Sequence, residues 1–359
     1  MQEIFHAGKI FNPLKNVSRN PSLSFKHIEV VVPARINNMV LDTKTLVNPI
    51  KDKVYHAGEF MFSVNVNTYA KLTVIPDGKS NIIISSKCKR PSLVKHAASI
   101  MQKTLNLKES VIIEANNERY YPHAGFGSSS SIITAVAVAI NEAYRKPLSA
   151  RQLVLLISQN HGEEIAGDNN RIIHVQCNGA SPLAALYEGG MQLISGEATV
   201  VLREPIPEKY YFVFGIPKSY KVYDAKKLMK IEESTFPEMI KRSKDYSKDM
   251  AWKIIHEMMP AMKNHDMMTV GDVLEYYRFE TGSLASDALT WPELYTNMKK
   301  LKKERKGPIK IISTSSCGPL IYALTTDKKK AIVLFKKLNM ETFVVTPNNS
   351  GYTVLKRTQ

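Results

Sequence analysis

The chain has 359 residues, 44% hydrophobic and 23% charged, with 49 Lys and Arg against 33 Asp and Glu for a net charge of +16. This length suits two domains. No apolar run reaches the ~18–20 residues that cross a bilayer, and Met1 to Lys26 lacks an apolar signal core, so a cytoplasmic protein without a membrane partner is expected. Three scattered cysteines, Cys88, Cys177 and Cys317, argue against a disulfide framework or a tetrahedral zinc site. The basic charge suits phosphorylated small molecules as well as nucleic acid, and no aromatic-interleaved basic motif favours specific nucleic-acid binding.

Residues 1–25 read as an extension, wrapping the domain or partly disordered. A strand is predicted from His27 to Ile36, ending near Pro33. Two more are predicted at Gly58–Val66 and Ala70–Ile75, split by a short polar turn. Asp77-Gly78 marks a hairpin leading to Asn81–Ser85. A helix over Leu93–Thr104 and a strand over Ser110–Ala115 follow.

The chain then enters Pro122-His123-Ala124-Gly125-Phe126-Gly127-Ser128-Ser129-Ser130-Ser131, which opens an apolar helix. Gly125 and Gly127 allow backbone angles closed to other residues. The free N–H groups of a helix start and its dipole form an anion site, for which phosphate is the usual guest. Four successive serines exceed what a capped turn needs, so Gly125, Gly127 and Ser128 to Ser131 are candidate phosphate ligands. No Gly-Lys-Ser/Thr follows, and the dinucleotide fingerprint is absent. His123 either braces the loop or takes part in chemistry. A valine at Gly127 is expected to block the phosphate and spare the fold.

Leu148-Ser149 caps a helix through Ile157, and His161 to Arg171 reads as a polar, charged segment. Glu163, Glu164 and Asp168 there either form a solvated acidic loop or supply a carboxylate for Mg²⁺ beside bound phosphate. Ser130 and Glu164 are the metal candidates. Asn178 to Gly190 reads as a turn, a short helix and a glycine stop. Strands follow at Met191–Ile194, Thr199–Leu202 and Tyr210–Pro217, with a domain boundary near Pro205–Pro207.

Residues 225–306 read as helical, at Lys227–Thr235, Glu238–Met259, Val270–Phe279 and Pro292–Arg305. Strand Lys310–Ser313, the turn Ser315-Ser316-Cys317-Gly318-Pro319, strand Leu320–Leu324, helix Lys328–Leu338 and strand Thr342–Thr346 complete an α+β layer. The second turn is either ligand-facing or an ordinary connection.

Pro122-His123-Ala124-Gly125-Phe126-Gly127-Ser128-Ser129 resembles the Pro-x-x-x-Gly-Leu-Gly-Ser-Ser motif of the GHMP kinase superfamily, with one residue fewer after the proline. Ser315 to Pro319 resembles its C-terminal glycine turn. The resemblance implies an α+β two-domain fold: an extension at 1–25, a ribosomal-S5-like N-terminal domain at 26–205 carrying the loop, and a ferredoxin-like C-terminal domain at 206–359. Within the superfamily, four stretches look like β-ribofuranosylaminobenzene 5′-phosphate synthase: Pro33-Ala34-Arg35-Ile36, His123 to Ser128, Ala184 to Gly190, and Ser315 to Tyr322. Asn37 and the four serines depart from that pattern.

The synthase resemblance implies condensation of phosphoribosyl pyrophosphate with p-aminobenzoate, with loss of CO₂ and pyrophosphate, in methanopterin biosynthesis. It implies Mg²⁺ and no organic cofactor, with a phosphorylated small molecule as partner; a homodimer is the assembly to consider, and the sequence does not fix it. His123 and Asn178 are then the catalytic candidates, and Arg35, Ser315, Ser316 and Gly318 the substrate-binding ones. The alternative is an ATP-dependent small-molecule kinase using the same loop. A second alternative is a non-catalytic, basic nucleic-acid-binding relative.

Overall fold

The computed structural model of the chain describes residues 3–41, 59–174, 180–316 and 318–359. The expected catalytic candidate Asn178 lies outside the described residues, as do Cys177, Cys317 and Gly58 at the start of an expected strand.

The N-terminal half is a twisted sheet covered by helices. Strand β1 (Ile4–His6) stands apart from it, while β2 (His27–Asn37) is the second strand from its edge. β2 runs four residues past Pro33 because a bulge at Pro33/Ala34 takes up the proline without ending the pairing. The two strands expected around residues 58–75 are one, β3 (Glu59–Ile75). Its polar middle, Asn67 to Tyr69, pairs with β2, and Thr68 and Tyr69 pair on the other side with β5 (Ser110–Asn117), so no turn forms there. Residues 82–84 form β4 (Ile82–Ile84), which pairs parallel with β5 instead of closing a hairpin on β3.

Helix α1 (Pro91–Leu105) starts on a proline, whose fixed φ suits the first turn. It packs beside α2 (Ser128–Ala143), buried along its whole length, and α3 (Ala150–Gln159) follows with a reciprocal Ser149/Gln152 capping box. The polar segment 161–171 is an ordered hairpin, β6 (Gly162–Ile165) and β7 (Asp168–His174). β7 pairs with β1, so the N-terminal extension is built into the fold, and Phe5 and Phe11 enter the core. After α4 (Ala180–Leu186), strands β8 (Met191–Ser195) and β9 (Thr199–Glu204) extend the sheet from β3.

The C-terminal half starts with β10 (Tyr211–Pro217). The two helices expected over 227–259 are one long α5 (Ala225–Lys253) that runs through the exposed Pro237. It ends in a π-helical turn, Ile254–Met258, just before Pro260, which has no N–H to give. Then come α6 (Met259–Lys263), α7 (Met267–Phe279), the unexpected α8 (Ser283–Thr290), α9 (Pro292–Lys302), β11 (Ile309–Thr314), β12 (Ile321–Thr325), α10 (Lys328–Lys337) and β13 (Met340–Val345). The sheet order β11-β12-β10-β13, antiparallel throughout, is the ferredoxin-like arrangement.

A last strand, β14 (Thr353–Thr358), was not expected; it returns to pair with β2 at the edge of the first sheet. The two halves share one core: Phe62 meets Phe212 and Tyr322, and Phe126 from the loop stands 5.0 Å from Phe214, edge to face. The glycine–serine loop is therefore clamped between both sheets.

Candidate functional site

Three left-handed residues bend the chain from β5 into α2: His123 at φ 60°, Gly125 at φ 120° and Gly127 at φ 67°. Gly127 is the N-cap and has no side chain to bond the helix start. The N–H groups of the first turn are left to a ligand or water. A Cβ on Gly127 would lie 2.5 Å from Ser181 Oγ and 2.9 Å from Arg35 Nε. A valine there strains the backbone as well as filling the site, so the expectation that it spares the fold is corrected.

The second turn supports the first. Ser315 Oγ donates to Gly125 O at 2.6 Å and accepts from Asn37 N at 3.1 Å. Ser316 N donates to Asn37 O at 2.8 Å. Arg35 Nη1 bridges the two turns, donating to Gly125 O at 2.9 Å and to Ser316 Oγ at 2.8 Å. A Cβ on Gly318 would fall 2.2 Å from Ala124 O, so the backbones touch there and only glycine fits. Arg35, Ser315, Ser316 and Gly318 thus converge on Gly125 and Gly127.

The serines have more specific work than lining an anion cradle. Ser128 Oγ accepts from Arg90 Nη1 at 3.0 Å. Ser129 Oγ bonds both Arg90 Nη2 and the Glu163 carboxylate. Ser130 O accepts from Thr134 Oγ1 at 2.8 Å, and Ser131 Oγ is buried without a partner among the described residues.

Arg90 is the residue the sequence did not single out. It is 3% exposed, and it donates through Nε to Glu164 at 2.6 Å and through Nη2 to the other Glu164 oxygen. Its contact with Glu163 is longer, 3.4 Å. Glu164, one of the two expected metal candidates, is therefore engaged with Arg90, and the carboxylate that meets a loop serine is Glu163, at Ser129. A cation at the mouth of a helix opposes the dipole. Arg90, directly before the first proline of α1, was a sign that carboxylates had to be near.

Burial pushes the Glu163 carboxyl up, but His123, His161 and Arg90 outweigh it and hold the group ionised, well below the usual carboxylate range. His161 Nε2 lies 3.5 Å from Glu163 Oε1, and its Nδ1 is buried without a partner among the described residues. His123 thus lies close enough to Glu163 to act on its charge. Asp168, by contrast, caps its own hairpin through Asn170 N and Arg171.

Among the described residues no group of three or more His, Cys, Asp or Glu side chains could hold a metal unaided. A metal here needs phosphate oxygens as further ligands. The donor set suits that: one ionised carboxylate and one hydroxyl at the mouth of an anion-binding helix, with the neighbouring cation already neutralised.

Residues 92–173 match the family model of the GHMP kinases N terminal domain. This stretch holds α1, the loop, α2 and the hairpin carrying Glu163. Over that stretch the chain is similar to GHMP kinase N-terminal domains, and its fold is the GHMP-type two-domain fold. A homoserine kinase from Buchnera aphidicola subsp. Acyrthosiphon pisum (strain Tuc7) is 35% identical over 114 residues, 31% of this chain and 32% of that protein. The match spans about a third of that relative's length. Among solved structures, homoserine kinase from Cytophaga hutchinsonii superposes with a TM-score of 0.61 at 17% identity, covering 93% of this chain and 100% of that one. Mevalonate diphosphate decarboxylase from Staphylococcus aureus gives 0.62 at 14% identity, covering 93% and 99%. At these identities the likeness establishes the GHMP fold. Among the described residues no helix is long and apolar enough to cross a membrane.

Proposed function

We propose that the chain is an ATP-dependent small-molecule kinase, transferring the γ-phosphoryl group to an alcohol. The observation that carries this is Glu163, held ionised against Ser129 at the mouth of α2. A plain anion site has no use for a buried carboxylate, because it would repel the guest; a metal-bound triphosphate does. The likeness to homoserine kinase over 114 residues supports the same choice.

The first-turn N–H groups of α2 and the Gly125–Gly127 backbone would hold the phosphates. Ser129 and Glu163 would hold magnesium, which when bound shares the charge of the phosphate oxygens. Arg35, fixed by Gly125 O and Ser316 Oγ, would face the transferring group and stabilise its charge. His123 would take the proton from the attacking hydroxyl.

His123 also favours a second reading. A histidine at this loop position belongs to the pattern shared with the aminobenzoate synthase, in which pyrophosphate is the leaving group. One assay separates the two. With Mg²⁺ and ATP plus a panel of alcohols, the kinase reading expects ADP release that depends on the alcohol. CO₂ release from phosphoribosyl pyrophosphate and p-aminobenzoate, without ATP turnover, would replace it with the synthase reading.

A further inference from the structure

Beside the two turns lies a cavity of about 120 Å³, opening next to Ser316 and Asn37. Its walls come from the tail of β2, from α5, and from α7 and α8. Most of the surface is apolar: Met39, Leu41, Met239, Tyr246, Met250 and Tyr277. Much of its polar lining is already committed. Tyr277 Oη is bonded to the backbone of Val40, accepting from N at 3.0 Å and donating to O at 3.1 Å. Asn38 is bonded to Ile36 O and to Tyr322 Oη. Ser247 Oγ donates to Lys244 O at 3.2 Å.

Two guanidinium groups line this space, Arg242 and Arg278. Among the described lining residues the carboxylate is Asp287, and it is engaged with Arg278, Oδ2 to Nη1 at 3.0 Å. Arg278 also holds Thr314 O at 2.9 Å. Arg242 donates to Gly282 O and Ser286 Oγ, both neutral acceptors. Its acidic neighbour Glu238 stands off at 3.6 Å and is 63% exposed.

This chemistry sorts ligands. Asn37 Oδ1 and Arg278 Nε belong to lining residues and are buried without partners among the described residues; a sugar would bury more hydroxyls than these two atoms can meet, and each hydroxyl left over costs its desolvation. An α-amino acid would bring an ammonium group to a site with two cations and an engaged carboxylate. A carboxylate would give Arg242 a charged acceptor, roughly twice as strong as a neutral one, while a hydrocarbon body would fill the methionine and tyrosine walls.

Building on the kinase reading, we propose that the phosphoryl acceptor is a hydroxy acid with an apolar skeleton, its carboxylate at Arg242 and its hydroxyl at the Ser316 end, and that amino-acid alcohols and sugars are excluded.

The test is direct binding by calorimetry to the full chain, with and without Mg²⁺ and ATP, alongside ADP release. The probes are 4-hydroxybutyrate, 6-hydroxyhexanoate, homoserine and glucose; the first and third differ by the amino group alone. We expect 4-hydroxybutyrate to bind about tenfold tighter than homoserine, and 6-hydroxyhexanoate tighter still. Ser243→Trp, which places an indole in the cavity, should weaken both acids about tenfold and leave the melting temperature and Mg·ATP affinity unchanged. Arg242→Lys, which keeps the charge, should retain more affinity for the acids than Arg242→Met. Homoserine binding as tightly as 4-hydroxybutyrate, acids insensitive to Ser243→Trp in a folded variant, or no binding of either acid would each overturn the proposal. Acids that bind in the cavity without ADP release would sink the kinase reading alone. ADP release with a preference for homoserine would sink this proposal alone.

Discussion

The glycine junction and the cavity beside it are built by different means. At the junction the backbone does the work: Gly318 touches Ala124, three left-handed residues set the turn, and Arg35 ties both loops through carbonyl and hydroxyl oxygens. Few side chains there can vary without breaking the geometry. The cavity is made by side chains from α5, α7 and α8 standing over β2, and their identities can change while the helices stay packed. On the kinase reading proposed above, phosphate binding would belong to the fold and acceptor choice to this chain.

Substitutions should separate the two regions. The largest effect is expected for Gly318→Ala. The new Cβ meets backbone 2.2 Å away on Ala124, so the junction must open. ADP release should fall by about 10²-fold or more, since a misplaced charge-stabilising group costs that much, and the melting temperature should drop as well. Retained activity would show that the two turns act separately.

Arg90→Met comes next. It leaves Glu163 and Glu164 partly buried without their cation, a change that costs about 3–5 kcal/mol. Chemical denaturation should show it, and adding Glu164→Gln should recover part of the loss. No recovery would mean that Glu164 does not serve to balance Arg90.

A third effect concerns stability against pH, away from both regions. Burial lowers His96 to about 4; its Nδ1 accepts from Gly8 N at 2.9 Å and its Nε2 meets Asn160 O at 2.6 Å. The folded state therefore binds fewer protons than the unfolded one between pH 6.5 and about 4. Stability from this group is present above pH 6.5 and is lost as pH falls toward 4, by about 3 kcal/mol. Burial lowers His174 in the same direction. His96→Gln should flatten the acid limb of a stability–pH curve, and an unchanged limb would place the acid sensitivity elsewhere. The smallest effect is Ser149→Ala, which removes one capping-box bond of α3. It should cost about 1 kcal/mol in denaturant melts and leave ATP turnover untouched.

Much of this was legible in the sequence, and what was not has physical reasons. The loop, the second turn and the order of most elements were readable because glycines and β-branched runs act locally. The β6–β7 hairpin was hidden, since its strength comes from β1, more than 150 residues away in sequence. β14 pairs with β2, another distant partner. Without the hairpin the sequence does not show which of Glu163 and Glu164 meets the loop serines, and the Ser129–Glu163 contact is not legible. One strand was read as two because polar residues in mid-strand look like a turn until both neighbours are in place. The expected gap between the helices at 235 and 238 is absent, because Pro237 stands on the solvent side and α5 runs through it.

The central claim is that Ser129 and Glu163 turn an anion site into one for a metal-bound triphosphate. Calorimetric titration of ATP into the wild-type chain and into Glu163→Gln, each with and without Mg²⁺, tests it most directly. The account predicts that Mg²⁺ tightens ATP binding to the wild type about tenfold or more, and that Glu163→Gln loses this gain while binding metal-free ATP at least as well. Equal dependence on Mg²⁺ in both proteins, or weaker metal-free binding by the variant, would contradict it.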